Sequence, residues 1–220
     1  MIIQLDEEIN LLRKTLLEMG NSVEEAIEEA TKALKDRDYT LAKQVIKNDL
    51  FINRLEVKID KICLRIFALK QPIAIDLRFV ASALKINNEL ERMGDFASRI
   101  AHNALGLSRI DDPPYLDEIY TMKNLVQQML KLSLDAFIQR NVELAQKMIE
   151  QDKEVDKHYE KVIGAIGPYV HEDSERFETG LMIIDIAKCL ERIGDHAKNI
   201  CEDAIYLAKG EIVKHQSINL

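Results

Sequence analysis

The chain has 220 residues, of which 47% are hydrophobic and 31% charged, a balance that is typical of globular proteins and excludes an intrinsically disordered chain. It contains only 8 glycines, 4 prolines and no tryptophan, too few turn residues for an all-β sandwich with its many tight turns. The formal net charge of −8 disfavours a nucleic-acid-binding protein, which needs a net basic surface, and favours cationic partners such as divalent metals.

Cysteine usage and the first residues of the chain indicate its compartment. Cys63, Cys189 and Cys201 are odd in number, widely spaced and form no CxxC pair, which predicts free core thiols in a reducing compartment. The opening MIIQLDEEIN is acidic and lacks the pattern of a signal peptide. No apolar run reaches the roughly 18 residues that a membrane-spanning helix needs. We therefore expect a cytoplasmic protein.

Apolar residues recur every three or four positions along nearly the whole chain, which is the pattern of amphipathic α-helices. The first helix is predicted over about 5–34 and the second over about 41–70, where a Gln-Pro pair ends it. A third helix is predicted over about 76–107. The DDPP segment at 111–114 is the only strong linker signal in the middle of the chain.

The pattern then restarts, which indicates an internal duplication of about 100 residues. LAKQVIKND at 41–49 recurs as LAQKMIEQD at 144–152, and LERMGDFASRIA at 90–101 recurs as LERIGDHAKNIC at 190–201. Pro168 follows the end of LAQKMIEQD at residue 152 much sooner than Pro72 follows the end of LAKQVIKND at residue 49. We therefore expect the middle helix of the second repeat to be two turns shorter.

Three amphipathic helices per repeat are enough to enclose one small core. The sequence thus predicts an all-α fold of two tandem three-helix bundles related by internal duplication. The first bundle is expected to span residues 1–110 and the second residues 111–220.

Each repeat also carries pairs of oxygen-bearing side chains at positions i and i+4, which share one helix face. In the first repeat these residues are Asp49 and Asn53 on the middle helix, and Glu91 and Asp95 on the third helix. In the second repeat they are Asp152, Asp156, Glu191 and Asp195. Because neighbouring helices of a bundle touch, four oxygen donors per repeat are expected to converge on one patch. His102 and Glu202, eleven residues after Glu91 and Glu191, could extend it.

Convergent carboxylates repel, at a cost of about 4 kcal/mol per pair at 4 Å and an effective dielectric of 20. Such a patch has to splay into solvent, take up protons or hold a cation, and carboxylate and amide oxygens suit Mg, Ca, Mn or iron. A solvated helix face is the alternative. Gly94 and Gly194 stand inside the third helices, where glycine costs about 1 kcal/mol relative to alanine. A close helix approach or room for ions would offset that cost.

The third helix of the first repeat also carries a basic residue at every seventh position. The series consists of Arg78, Lys85, Arg92 and Arg99. A solvated flank is the commoner role of such a stripe, and a docking surface for an acidic partner is the alternative.

Several catalytic signatures are absent from the sequence. No Glu-x-x-His pair, HExxH, P-loop, GxGxxG or GxSxG occurs. The sequence therefore gives no support for a ferritin-like oxidase, a metalloprotease, a P-loop NTPase, a Rossmann enzyme or a serine hydrolase. Two alternatives to a metal-binding regulator stay open. One is a carboxylate-bridged metalloenzyme, a hydrolase or an oxidase, and the other is a helical adaptor without metal.

The duplicated ERxGD element at 91–95 and 191–195, preceded one helix earlier by Asp-x-x-x-Asn or Asp-x-x-x-Asp, resembles the PhoU family, the accessory and regulatory proteins of bacterial phosphate-specific transport. The resemblance covers essentially the whole chain. It implies a non-enzymatic negative regulator of phosphate uptake and of the phosphate-starvation response, which contacts the transporter's ATPase subunit and a sensor histidine kinase. It also implies a homodimer that binds no nucleic acid and reaches the membrane only through its partners.

The resemblance further implies metal ions on the bundle surface, in clusters of several ions, with iron, Mg, Mn, Ca and Zn all open as the metal. Carried over residue by residue, the ligands are Asp49, Asn53, Glu91, Asp95, Asp152, Asp156, Glu191 and Asp195. Asn53 departs from the family's pattern because it supplies a neutral oxygen. Counting carboxylates alone, we expect the second repeat to bind metal more strongly.

Overall fold

The computed structural model describes residues 2–108, 110, 114 and 116–211, without the side chains of residues 2–4 and 174. Within these ranges the chain forms six α-helices and no strand. The helices are α1 (Ile2–Asp36), α2 (Tyr39–Lys70), α3 (Ala74–Leu107), α4 (Leu116–Gln139), α5 (Val142–Glu172) and α6 (Phe177–Lys209). A short 3₁₀ turn, Ser174–Arg176, precedes α6.

The turns that join the first two helices of each repeat have the same construction. After α1, Arg37 adopts a left-handed conformation with φ of 52°, and Asp38 caps α2 by accepting hydrogen bonds from the backbone N–H groups of Thr40 and Leu41 at 2.9 Å. After α4, Arg140 repeats the left-handed conformation with φ of 57°, and Asn141 caps α5. A side-chain cap satisfies N–H groups that the helix itself leaves unpaired, so each turn reverses the chain in two residues.

Helices α1–α3 pack against one another as the first bundle, and α4–α6 pack as the second. Each helix turns one apolar face inward, as Leu12, Leu16 and Met19 of α1 do with no exposed surface. The buried apolar residues of both bundles form one continuous cluster. The structure confirms the predicted all-α fold of two tandem three-helix bundles.

The two bundles meet along α3 and α6, which run antiparallel, and along α1 and α4. Lys85 Nζ lies 3.0 Å from Asp203 near the end of α6, whereas Arg99 Nε donates to Asp185 near its start at 2.7 Å. Two of the four cations in the seven-residue basic series therefore pair with acidic residues of the other bundle. Both side chains stay exposed, in agreement with a solvated flank, but each also forms an ion pair with α6.

The middle helices of the two repeats have nearly equal lengths, 32 residues for α2 and 31 for α5. The expectation of a two-turn difference is wrong, because α5 continues through Pro168 to Glu172. A Cβ atom added at Gly180 of α6 would lie 2.8 Å from Val170 Cγ2 and 3.0 Å from Ile166 Cγ2. The last turn of α5 thus packs directly on α6, and this packing offsets the one backbone hydrogen bond that proline removes.

The predicted boundary between residues 110 and 111 falls in the connection between α3 and α4. Residues 111–113 of the predicted linker lie outside the described residues. Within the described residues, no helix combines the length and apolar character needed to cross a membrane.

Candidate functional site: two carboxylate patches

The structure brings the predicted residues of the first repeat together on one surface of α2 and α3, which we call patch one (Asp49, Asn53, Glu91, Asp95 and, as shown below, Glu56). Asn53 Nδ2 donates a hydrogen bond to Asp49 Oδ2 at 3.0 Å across one helical turn. Burial raises the pKa of Asp49 above its usual value, and the negative charge of Asp95 raises it further. The two helices therefore place their carboxylates close enough to repel each other.

Glu56 is a further member of patch one, and the motif pattern missed it. Its pKa is raised by burial first, then by the charges of Asp60 and Asp95. Its charge also helps to raise the pKa of Glu91, after burial and Asp95. Glu56 lies seven residues after Asp49 and thus on the same helix face, so helical spacing extended by one more turn could have identified it.

In the second repeat, patch two is formed by Asp152 and Asp156 of α5 and by Glu191 and Asp195 of α6. The pKa of Asp156 is raised by burial and then by the charges of Asp152 and Asp195. That of Glu191 is raised by burial and then by Asp195, with Arg192 acting in the opposite direction. The four predicted residues thus share one patch here as well.

Patch two contains a cation that patch one lacks. Lys198 Nζ donates to Asp152 Oδ2 at 2.8 Å, and Asp152 is only 3% exposed. The equivalent position in the first repeat is Ser98. The bonded lysine neutralises the most buried carboxylate of the patch. Counting motif carboxylates alone missed this effect, so the expectation that the second repeat binds metal more strongly loses its basis.

The two helix glycines allow close approach of neighbouring helices. A Cβ atom at Gly94 would lie 3.0 Å from Ile52 Cδ1, which is too close for an unstrained contact. A Cβ atom at Gly194 would lie 3.3 Å from Asp152 Oδ1 and make only ordinary contacts beyond it. Close packing therefore accounts for the first glycine, and access to a patch carboxylate accounts for the second.

Several patch oxygens have no hydrogen-bond donor in the structure. They are Asp49 Oδ1, Asn53 Oδ1 and Glu191 Oε2, all of which are buried, although Glu191 Oε2 lies 3.4 Å from Arg192 Nε in an ion pair. A buried oxygen without a donor is costly, and a bound cation or water would satisfy it. Among the described residues, however, no three Asp, Glu, His or Cys side chains stand close enough together to hold a metal ion without rearranging. Side-chain rotation would therefore have to accompany metal binding.

Other possible ligands lie away from the patches. Glu202 and His102 stand eleven residues beyond Glu191 and Glu91, which corresponds to about 16 Å along a helix, too far to share an ion with them. The three cysteines are free and buried, as predicted, and burial raises the pKa of each thiol to about 12. Thiolate ligation is therefore disfavoured.

Comparison with known proteins places both repeats in one family. The family model described as PhoU domain matches residues 16–104 and 119–204, one match in each bundle. The "Phosphate-specific transport system accessory protein PhoU" of Serratia marcescens is 37% identical over 212 residues, covering 96% of this chain and 87% of that protein. The corresponding PhoU homolog of Aquifex aeolicus is 41% identical, covering 98% of this chain and 97% of that protein.

The fold also matches a solved structure. The crystal structure of PhoU from Pseudomonas aeruginosa superposes with a TM-score of 0.89 at 40% sequence identity, covering 94% of this chain and 99% of the other. The family match thus extends from sequence to the arrangement of all six helices. The relatives are named for accessory roles in phosphate-specific transport, and this chain belongs to the PhoU family.

Proposed function

We propose that this chain is a non-enzymatic negative regulator of phosphate uptake and of the phosphate-starvation response. The observation that carries the proposal is the PhoU match in both bundles, together with relatives named as accessory proteins of phosphate-specific transport. In this role the chain contacts the transporter's ATPase subunit and a sensor histidine kinase. A cytoplasmic location agrees with its three free cysteines, since thiols stay reduced there.

The proposal includes metal binding at both patches. The ligands are Asp49, Asn53, Glu91 and Asp95 in patch one and Asp152, Asp156, Glu191 and Asp195 in patch two, with Glu56 added to patch one. Two observations support it: buried patch oxygens without donors, and carboxyl pKa values that burial and mutual repulsion raise. A divalent or trivalent ion would neutralise this repulsion and draw α2 towards α3, or α5 towards α6.

A homodimer is the proposed assembly. Three large apolar side chains are exposed around the turn between α2 and α3: Leu69 at the end of α2 at 70%, Ile73 in the turn at 76% and Leu77 at the start of α3 at 45%. A second copy of the chain could cover them and so remove apolar surface from water. Sedimentation of the wild type and of Ile73→Glu tests this: a dimer that becomes monomeric in the variant supports it, and a monomeric wild type contradicts it.

The regulatory role is tested in cells that lack the gene for this chain. With phosphate in excess, the wild-type chain should repress a phosphate-starvation reporter. Pull-down from the same cells should recover the transporter ATPase or the sensor kinase. Recovery of neither, together with an unrepressed reporter, would contradict the proposal.

The metal sites need a separate test, because regulation could persist without them. Asp95→Asn and Asp195→Asn should each lower the metal content of the purified protein, whereas Glu7→Gln and Glu143→Gln at exposed positions should not. Unchanged metal content in the patch variants would remove the metal sites from the proposal and leave the regulatory role standing. Turnover by the metal-loaded protein that Glu191→Ala abolishes would instead favour the metalloenzyme.

A further inference from the structure

A groove of about 690 Å³ lies on the outside of the first bundle, where α1 and α2 meet. Its apolar part is formed by Leu11, Leu50, Val57 and Ile62. The first three of these side chains are 40%, 59% and 49% exposed, so the groove presents apolar surface to solvent. The large exposed side chains lie side by side, an arrangement that marks an interaction surface more often than scattered single residues do.

Apart from Asn53, which also belongs to patch one, the rest of the groove is basic. Four cations of α2 line it, and no acidic residue does; they are Arg54, Lys58, Lys61 and Arg65. Their spacing of four, three and four residues places them along one helix face. Lys58 pairs with Glu18 at 3.5 Å and Arg65 pairs with Glu8, whereas Arg54 and Lys61 make no ion pair among the described residues. In a chain of net charge −8, this groove is a local exception.

We propose that this groove docks an acidic amphipathic helix of a partner protein. From Leu50 to Arg65, α2 extends for about 22 Å, the length of roughly four helical turns. The apolar residues of the groove suit the apolar face of such a helix, and the four cations suit carboxylates on its flanks. The proposal depends on the apolar and cationic residues of the groove and not on the regulatory role; Asn53 is the one lining residue that the groove shares with patch one.

The shape and chemistry of the groove favour this occupant over two others. A lipid bilayer presents a broad surface that does not enter a groove between two helices. A second copy of the chain exposes apolar side chains at the turn between α2 and α3, but the four cations of the groove would find no acidic residue beside them at Leu69, Ile73 and Leu77 except Asp76. A partner helix with a free apolar face and acidic flanks has neither restriction.

The second bundle shows that the fold does not require this groove. At the positions equivalent to Leu50, Arg54, Val57 and Lys61, α5 carries Lys153, Lys157, Glu160 and Gly164, all exposed. The apolar residues of the groove are therefore a property of one repeat alone, whereas lysines recur in α5 at the positions equivalent to Arg54 and Lys58. Core packing, which the two bundles share, does not explain these apolar residues.

The test uses the full chain and a labelled synthetic helix of about 15 residues, with leucines at helical spacing and glutamates on both flanks. Fluorescence anisotropy should show binding that weakens as salt is added. A matched peptide with lysine in place of each glutamate should bind at least about tenfold more weakly. The double variant Arg54→Glu with Lys61→Glu should weaken binding of the acidic peptide by at least about tenfold.

The control is the double variant Lys157→Glu with Lys161→Glu, which reverses two exposed charges of α5 at the positions equivalent to Arg54 and Lys58 and should leave peptide binding unchanged. Val57→Asp should weaken binding by placing a charge among the apolar residues, and thermal melts should show that each variant folds.

Three results would overturn the proposal. They are equal binding by wild type and the Arg54/Lys61 variant, binding only to vesicles of equal parts phosphatidylcholine and phosphatidylglycerol, and self-association that Val57→Asp abolishes.

Discussion

Patch one and patch two occupy equivalent helices of a duplicated fold, but their charges are arranged differently. Asn53 of patch one is equivalent in position to Asp156 of patch two. Glu56 is equivalent to Tyr159, which packs against the core. The largest difference is a cation: Lys198 is bonded to the buried Asp152, and the first repeat has only a serine there. The duplication has kept the helix frame and changed the charges that the frame carries.

The number of carboxylates does not by itself determine how strongly a patch attracts a cation. Patch one has four carboxylates and no bonded lysine, whereas patch two has four carboxylates and two bonded cations, the Lys198 ammonium group at 2.8 Å from Asp152 and Arg192 at 3.0 Å from Asp195. An incoming metal ion must displace or tolerate that ammonium. Patch one should therefore bind a divalent ion at least as strongly as patch two, the reverse of the order that the motif residues predict.

Lys198→Ser should have the largest effect, because it makes patch two resemble patch one. The buried carboxylate of Asp152 would then have no hydrogen-bonding partner. Without metal, this should lower the free energy of unfolding by about 1–3 kcal/mol. The same change should strengthen Mn²⁺ or Mg²⁺ binding to patch two, so that added metal restores most of the lost stability. Denaturant unfolding with chelator and with metal measures both effects.

The matched control is Lys188→Ser, an exposed lysine on the same helix, which should change neither quantity measurably. If Lys198→Ser lowered stability equally with and without metal, Lys198 would have a purely structural role and the comparison between the patches would lose its functional meaning.

Replacing each of the two helix glycines with alanine should lower stability more in the first repeat than in the second, because the packing around the two glycines differs. Gly94→Ala places a methyl group 3.0 Å from Ile52 Cδ1 in the core, and we expect it to destabilise the chain by about 1–2 kcal/mol. Gly194→Ala meets only the Asp152 carboxylate at a strained distance, so the gain in helix propensity should hold its effect within about 1 kcal/mol. Thermal melts of both variants check this order, and equal destabilisation would show that the helix approach is the same in both repeats.

Exchanging the residues at the Asn53 and Asp156 positions should have a smaller effect on stability. Asn53→Asp removes the donor to Asp49 and adds a negative charge, so the metal-free protein should lose about 1 kcal/mol. Asp156→Asn should remove repulsion and gain a fraction of that amount. Calorimetric titration with Mn²⁺ should show tighter binding in the first variant and weaker binding in the second. Unchanged affinity in both would mean that these side chains are not ligands.

Helical periodicity and the repeat were sufficient to predict the fold, because a duplicated 3.6-residue pattern constrains both the helices and their partners. The eight predicted patch residues do come together in two groups. Sequence could not show what surrounds them: Lys198 is evident only once α6 is placed against α5. The length of α5 was also missed, because packing of Val170 and Ile166 on Gly180 outweighs the helix-ending tendency of Pro168.

The smallest expected effect is the pH dependence of patch one without metal. The pKa values of Asp49, Glu56 and Glu91 are raised in the folded state, chiefly by burial and then by neighbouring carboxylates. A carboxyl group with a raised folded pKa favours the fold most below its unfolded pKa and loses that contribution as the pH rises through the folded value. With chelator present, acidification from pH 7 towards pH 5 should therefore increase the contribution of patch one to stability.

Groups shifted the other way do not mask this trend. The pKa of Glu28 is lowered, first by its hydrogen bond from Lys123, and its contribution is lost only as the pH falls below the usual glutamate value of 4.5. Glu56→Gln should reduce the increase in melting temperature between pH 7 and pH 5, because it removes one of the repelling charges, whereas Glu7→Gln at an exposed position should not. Saturating Mn²⁺ should abolish the difference between wild type and Glu56→Gln, since a bound cation relieves the same repulsion that protonation relieves. If the difference persisted with metal bound, Glu56 would act on the fold independently of the patch.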